Sequence, residues 1–445
     1  MASDQIPYPP TRDLDTPAAT AAAGRSPARG DVVFCFSYLS WQAAADRGWF
    51  GTEDRLARGL LVHERVERLL VCDLMRSLPA KLLRDCQVRA AGREATFPRS
   101  GSARLLRPMR LRRDYPTSIE GVRRACAALD RALEREARRM GLREPAVIVA
   151  NPLLAGFAEF AWAGPVTFFA TDDWLAYEPH RRWWPAYNES FARVRSRGRR
   201  VCAVSSAALE RIAPTGPSAV VPNGIDPAEW RGSPPAWLGG LVGQPRGGGA
   251  DEDAGSRLEE TAGLPGETAR PLLLYTGSLD SRLDVPALLQ IARQLPEATI
   301  VLVGPLLAPD HLAPLRTVPN VEIRPPVERP ELIELVRAAD LGLLVHRELP
   351  LTRAMSPLKL YEYLAAGLPV VATDLPPVRG VHPSVELVDP RGGQDEGGDG
   401  EGGDYPRAVR AALARGRAAE PERLAFIERS SWRARHDELL SVALA

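Results

Sequence analysis

The sequence predicts an α/β protein of two doubly wound, Rossmann-like domains facing one another across a cleft. Short apolar runs alternate with helix-length segments, the pattern of a parallel sheet. Two such series are separated by a stretch rich in Gly, Pro, Asp and Glu. Several apolar runs end in glycine, where backbone can approach a ligand closely. The 445 residues are long for one compact domain and fit roughly two to three.

Residues 1–30 are rich in Ala, Pro, Thr and Asp. They lack an apolar core behind a cationic segment, so a disordered extension is expected there rather than a secretory signal. The first domain, 31–226, opens with strands at 31–37 and 66–72 and a charged helix at 118–140. Strands follow at 146–151, 166–170, 201–205 and 219–222, and the series closes at the turn dipeptide Asn223-Gly224. Residues 227–270, with Gly247-Gly248-Gly249, read as a linker or insertion. In the second domain, 271–421, strands are expected at 271–275, 299–303, 321–323, 341–345 and 369–372, and a solvated acidic loop at 391–404. A closing helix at 422–445 carries an apolar face long enough to dock on a neighbour.

Composition excludes several classes. A formal net charge of +1 gives no global attraction to nucleic acid. Cys35, Cys72, Cys86, Cys126 and Cys202 are scattered without a CxxC pair, which fits neither a zinc cluster nor a disulfide framework. A reducing, cytoplasmic setting is the default, and no metal-ligand cluster is visible. No segment offers the ~18 uninterrupted apolar residues of a membrane span.

Lysine is rare, present only as Lys81 and Lys359 among cations that are otherwise arginine. A compact ammonium suits a point contact to phosphate. Lys359 lies in the run Ser356-Pro357-Leu358-Lys359-Leu360-Tyr361-Glu362, where Ser356 and Pro357 fit an N-cap and first turn whose N–H groups favour an anion. Lys359 and Glu362 share a helix face; that spacing also fits a mere surface ion pair. Two earlier turns follow strands: Tyr275-Thr276-Gly277-Ser278-Leu279-Asp280-Ser281-Arg282 and Val303-Gly304-Pro305. Each glycine alone is as readily a tight turn. In the first domain Thr171-Asp172-Asp173-Trp174 follows a strand, where acids either orient a hydroxyl or cap the next helix. His180 to Trp184 and 193–200 mix aromatics with arginines, a composition suited to an anionic membrane surface or a lipid-diphosphate, and equally to a solvated face.

Taken in order, Val221-Pro222-Asn223-Gly224-Ile225-Asp226, the Gly277 and Gly304 turns and the run from Pro357 to Thr373 resemble glycosyltransferase family 4, of GT-B architecture. The likeness is nearest to teichuronic-acid and cell-surface polysaccharide types. It implies transfer of a sugar from a nucleoside-diphosphate-sugar to a hydroxyl of a saccharide or lipid-linked acceptor, with retention and without a further cofactor or metal. It implies donor contacts at Gly277, Ser278, Arg282, Gly304, Ser356, Pro357, Leu358, Lys359 and Glu362. Glu362 matches the glutamate that holds the ribose, and Arg282 and Lys359 lie by the diphosphate. Asp172 and Asp173, with Arg282 and Lys359, are the candidate catalytic set. Two departures stand out. Ala354 occupies the place of the first glutamate of the paired motif, and Ser37-Tyr38-Leu39-Ser40-Trp41 replaces the family's glycine pair. A nucleoside-diphosphate-sugar epimerase of the same architecture, or a scaffold with a decayed donor site, remains an alternative. The expected location is cytoplasmic, with peripheral contact to the inner membrane face.

Overall fold

The computed structural model describes residues 28–78, 95–98, 101–111, 114–232, 270–392 and 403–445. Most of the expected extension, linker and acidic loop therefore lies outside the described residues.

The first sheet is built from β1 (Gly30–Cys35), β2 (Val66–Cys72), β4 (Ala103–Leu106), β6 (Ala146–Val149), β7 (Val166–Ala170), β8 (Arg200–Ala203) and β9 (Ser218–Val220). Their order, β4-β2-β1-β6-β7-β8-β9, puts the first strand inside and winds the chain outward both ways. Every pairing is parallel. Central strands such as Val32-Val33-Phe34-Cys35 are apolar throughout because both faces are covered. The short strands β3 (Arg76–Ser77) and β5 (Met109–Arg110) pair with each other at the rim.

Helices α1 (Trp41–Asp46), α2 (Thr52–Val62), α3 (Ile119–Arg139), α4 (Pro152–Phe157), α5 (Trp184–Ser196) and α6 (Ser206–Ile212) cover this sheet, and α7 (Pro227–Trp230) leads out of it. α3 begins where its cap demands, the Ser118 hydroxyl accepting from Gly121 N at 3.2 Å.

The second sheet has the order β12-β11-β10-β13-β14-β15, again all parallel. Its strands are β10 (Leu272–Thr276), β11 (Thr299–Val303), β12 (Val321–Arg324), β13 (Leu341–Leu344), β14 (Val370–Thr373) and β15 (Val385–Val388). Around it lie α8 (Val285–Gln294), α9 (Arg329–Ala338), α10 (Pro350–Ala354), α11 (Leu358–Ala365), α12 (Tyr405–Arg415) and α13 (Glu420–Arg429), followed by α14 (Trp432–Ala443).

Three features differ from the sequence expectation. β4 and β15 lie at or near sheet edges, and their half-exposed side chains remove the apolar signal that marks the inner strands. The single closing helix is two. Ile225 N donates to Ser430 O and Trp432 N donates to Ile225 O, each at 2.9 Å, so this crossing strand interrupts the helical ladder. Ser431 then recaps α14 by accepting from Ala434 N at 3.2 Å. As a result α13 buries Phe426 and Ile427 in the second domain, while α14 buries Leu439, Leu440 and Ala443 in the first. The closing segment thus clasps both domains.

Candidate active site

The second domain's half of the candidate site forms where β10 and β11 end. Gly277 and Gly304 have φ of 117° and 150°, a region closed to most side chains. A Cβ on Gly304 would fall on the Gly277 carbonyl oxygen, and one on Gly277 would lie 2.8 Å from Lys359 Nζ. The two turns therefore nest with Lys359 laid over them. Lys359 Nζ stands 3.5 Å from the centroid of the Tyr275 ring. Burial, then the neighbouring Arg282, holds its ammonium well below the ordinary lysine range, against the pull of Asp280 and Glu362. The Tyr275 hydroxyl meets His346 Nε2 at 3.1 Å. Burial and the same two cations keep His346 neutral, its pKa well below normal. Tyr363 on α11 accepts from Thr276 N at 2.8 Å, fixing the helix to the end of β10.

Arg282 is held by its own turn: Nε donates to Asp280 Oδ1 at 2.9 Å and Nη2 to Oδ2 at 2.7 Å. Beside this, a cleft of about 550 Å³ opens at the ends of β11 and β12, lined by Gly304, Leu306, Arg316, Glu322, Arg324 and Pro325 among others. Crevices outside the carboxyl ends of strands are where open α/β sheets hold ligands.

The start of α11 differs from expectation by one residue. Pro357, not Ser356, is its N-cap, so Leu358 and Lys359 open the helix. The Ser356 hydroxyl instead accepts from Asn223 N at 3.1 Å and its carbonyl from Asn223 Nδ2 at 2.5 Å, stitching the domains together. The first N–H groups of α11 have no intrahelical partner and carry the positive end of its dipole.

Glu362 is not in a surface pair with Lys359. Its Oε1 is bound by Arg329, whose Nη2 also donates to Glu229 at 2.5 Å. Arg55 on α2 completes the network through Glu229 at 3.0 Å and Asp226 at 3.3 Å. Arg329 opens α9, and nothing in its local sequence marks it for this contact.

On the facing side, Asp172 follows β7. Burial raises its carboxyl to about 6, opposed by Arg282 of the other domain and reinforced by Asp173. The two adjacent acids part company here. Asp173 accepts from Leu175 N at 3.0 Å and pairs with Arg211 at 3.4 Å, so it closes its own turn. The sequence reading missed Glu53 on α2, which accepts from Ser37 N at 2.8 Å and from the Ser37 hydroxyl. It lies close enough to Asp172 to be raised by its charge. Tyr38 packs edge-on against Trp174 at 5.8 Å, and Trp174 stacks on His180 at 5.2 Å.

Ala354 is 3% exposed and packs into the core of the first domain, its carbonyl accepting from the Ser205 hydroxyl at 2.5 Å. The place of the absent glutamate is therefore an interdomain contact. In the aromatic-basic segment, Arg182 stacks 3.9 Å over Trp183, whose Nε1 donates to Pro116 O. No helix among the described residues is long and apolar enough to cross a membrane.

Residues 270–391 match the family model of glycosyl transferases group 1. The putative teichuronic acid biosynthesis glycosyltransferase TuaH of Bacillus subtilis (strain 168) is 34% identical over 107 residues, 24% of this chain and 27% of that protein. The match thus spans about a quarter of the curated relative. Among solved structures, the UDP-forming α,α-trehalose-phosphate synthase of Burkholderia xenovorans, in complex with glucose-6-phosphate, superposes with a TM-score of 0.56. The identity is 13% over 92% of this chain and 99% of that one. Anabaena Alr3699/HepE with UDP and glucose gives a TM-score of 0.53 at 14% identity, over 92% and 98%. The two-sheet fold is shared along nearly the whole chain. Residues 270–391 are thus similar to the glycosyl transferases group 1 family, and the chain shares its two-sheet GT-B fold with these structures.

Proposed function

We propose that the protein is a glycosyltransferase that moves a sugar from a nucleoside-diphosphate-sugar to the hydroxyl of a saccharide or lipid-linked acceptor. The observation that carries this reading is the nested pair of glycine turns with Lys359 above them, of which Gly304 lines the cleft beyond β11 and β12. A flat base and ribose fit beside Gly304 and Glu362, while the diphosphate lies over Gly277 toward Lys359, Arg282 and the start of α11. The departing diphosphate gains charge as the anomeric C–O bond breaks, and preorganised donors in a dry site lower that barrier. Asp172 faces this point from the acceptor side, where it orients the incoming hydroxyl.

Transfer with retention is the form we favour, because Glu362, Lys359 and the glycine turns of the family pattern are kept; Ala354, in place of the motif's first glutamate, is the departure from that pattern. A role in cell-surface polysaccharide or glycolipid synthesis is supported by the likeness to TuaH. Peripheral contact with the cytoplasmic membrane face is supported by Leu111, 84% exposed, and by the exposed Arg181 and Arg182.

The test is a panel of nucleotide sugars incubated with and without saccharide and polyprenyl-phosphate acceptors, read by nucleoside diphosphate release and product mass. Acceptor-dependent release from one donor is expected. Interconversion of the donor without acceptor, or no nucleotide binding by calorimetry, would overturn the reading.

A further inference from the structure

We propose that Glu53 is the positioning residue of the acceptor hydroxyl, acting through the Ser37 side chain. The proposal rests on the transferase reading above and extends it to residues outside the donor site.

Glu53 is 2% exposed and its carboxylate is used entirely on the turn after β1. Its Oε2 accepts from Ser37 N at 2.8 Å and its Oε1 from the Ser37 hydroxyl. The Ser37 carbonyl in turn accepts from Asn151 Nδ2 at 2.9 Å. The turn after β1 and the Asp172 turn after β7 both leave carboxyl ends of the first sheet, where that domain faces the donor. Burying a carboxylate costs several kcal/mol, and the two hydrogen bonds from Ser37 that offset this cost tie Glu53 to that one turn.

The protonation state of Glu53 fixes the direction of the Ser37 hydroxyl. When Glu53 is ionised, Ser37 Oγ–H donates to it, and the serine lone pairs remain for a hydroxyl that must itself donate. When Glu53 is protonated, it donates to Ser37 Oγ, and the serine proton turns outward as a donor. A nucleophilic sugar hydroxyl has to donate its proton while its own oxygen lone pair attacks the anomeric carbon. Only the ionised form of Glu53 matches that need. In the transfer the new C–O bond forms at the anomeric carbon, the bond to the diphosphate breaks, and the hydroxyl proton, shared between Ser37 Oγ and Asp172, passes to Asp172.

Glu53 is placed to switch near neutrality. Burial raises its carboxyl to about 7, while the two hydrogen bonds from Ser37 pull it down and Asp54 and Asp172 push it up. The charged groups around it are Asp54 on its own helix, Asp172 from the β7 turn, and Arg47, which faces Tyr38 and Asp54. Tyr38, beside Ser37, is raised in turn by burial and by Glu53 and Asp172.

Glu53→Gln supplies an amide that donates to Ser37 Oγ and a carbonyl that accepts from Ser37 N, which fixes the low-pH arrangement. With wild type, transfer is expected to rise with pH through about 7. With Glu53→Gln, kcat at pH 8 is expected to fall roughly 10-fold or more and the rise to flatten, at unchanged donor KM. Ser37→Ala should show the same flattening, and nucleoside diphosphate calorimetry on both variants reports whether the donor domain is intact. If Glu53→Gln binds nucleotide normally and keeps the wild-type pH profile, the positioning role is overturned while the transferase reading stands. Loss of thermal stability with an unchanged profile overturns it as well, in favour of a purely structural carboxylate. If wild type transfers no sugar and binds no nucleotide, the underlying reading fails and the inference with it.

Discussion

Lys359 Nζ lies 3.5 Å from the centroid of the Tyr275 ring, and the ring's hydroxyl is anchored on the neutral His346. The electron-rich ring face offsets part of the cost of burying an ammonium. An anion beside Lys359 would relieve what remains of that cost.

Lys359→Met should therefore weaken nucleoside diphosphate binding about 10- to 100-fold, the scale of one or two hydrogen bonds to a charged group. It should also leave the fold at least as stable, by thermal unfolding. Because the folded protein disfavours the charged lysine, its unfolded chain binds that proton more tightly, and the penalty fades as pH rises toward ~10.4. Across alkaline pH below ~10.4, diphosphate binding should take up protons, measurable by calorimetry in buffers of different ionisation enthalpy. Binding without proton uptake would contradict a depressed lysine.

The two glycines separate packing from function. Gly304→Ala drives its methyl into the backbone of Gly277 at a φ of 150° and should cost about 3 kcal/mol or more. For a domain of this size that lowers Tm by roughly 6–12 °C. Gly277→Ala meets only the end of a flexible lysine in addition to its own backbone strain. It should unfold less readily than Gly304→Ala yet lose donor binding to a comparable degree. Equal thermal losses would refute the nested-turn geometry.

Arg329 ties Glu362 to Glu229, which Arg55 of the first domain also binds, and its side chain is 17% exposed. Arg329→Ala should cost about 2 kcal/mol, less than the ~3–5 of a fully buried pair because some solvent access remains. It should also weaken nucleotide binding without touching the diphosphate, since Glu362 loses the group that orients it. Glu362→Gln, which keeps a hydrogen-bond partner for Arg329, should weaken nucleotide binding at a smaller cost in Tm. If Arg329→Ala changed Tm but not nucleotide affinity, the orienting role would be lost.

His436 on α14 packs where Gly59 of α2 leaves space, and a Cβ there would strike its ring. Burial, then His63, lowers its pKa to about 4. It is neutral in the fold, while the unfolded chain charges it below ~6.5. Its contribution to stability is thus full above ~6.5 and declines as pH falls toward 4, by up to roughly 3 kcal/mol. Thermal melts at pH 7 and 5 should separate clearly, and His436→Gln should reduce that separation. An unaltered pH dependence would place the titration elsewhere.

Much of the fold was legible in the sequence because strands covered on both faces are apolar throughout, as in Val32 to Cys35 and Leu272 to Tyr275. The edge strand β15 was not legible, since three of its four residues are partly or fully exposed. The break at Ser430 was hidden for a different reason, for it is made by Ile225, some two hundred residues away. In the site, Gly277, Gly304 and Lys359 could be picked out by residue type alone: special φ and a lone ammonium are local properties. The sequence by itself determined the two sheets, the glycine turns and the lysine set among arginines at 359. Only the tertiary structure decided that Asp173 closes a turn while Asp172 faces Arg282, that Arg329 holds Glu362, and that Glu53 stands behind Ser37. Partnership and protonation depend on which charges folding brings within a few ångströms and how much water it removes, and no local pattern encodes either.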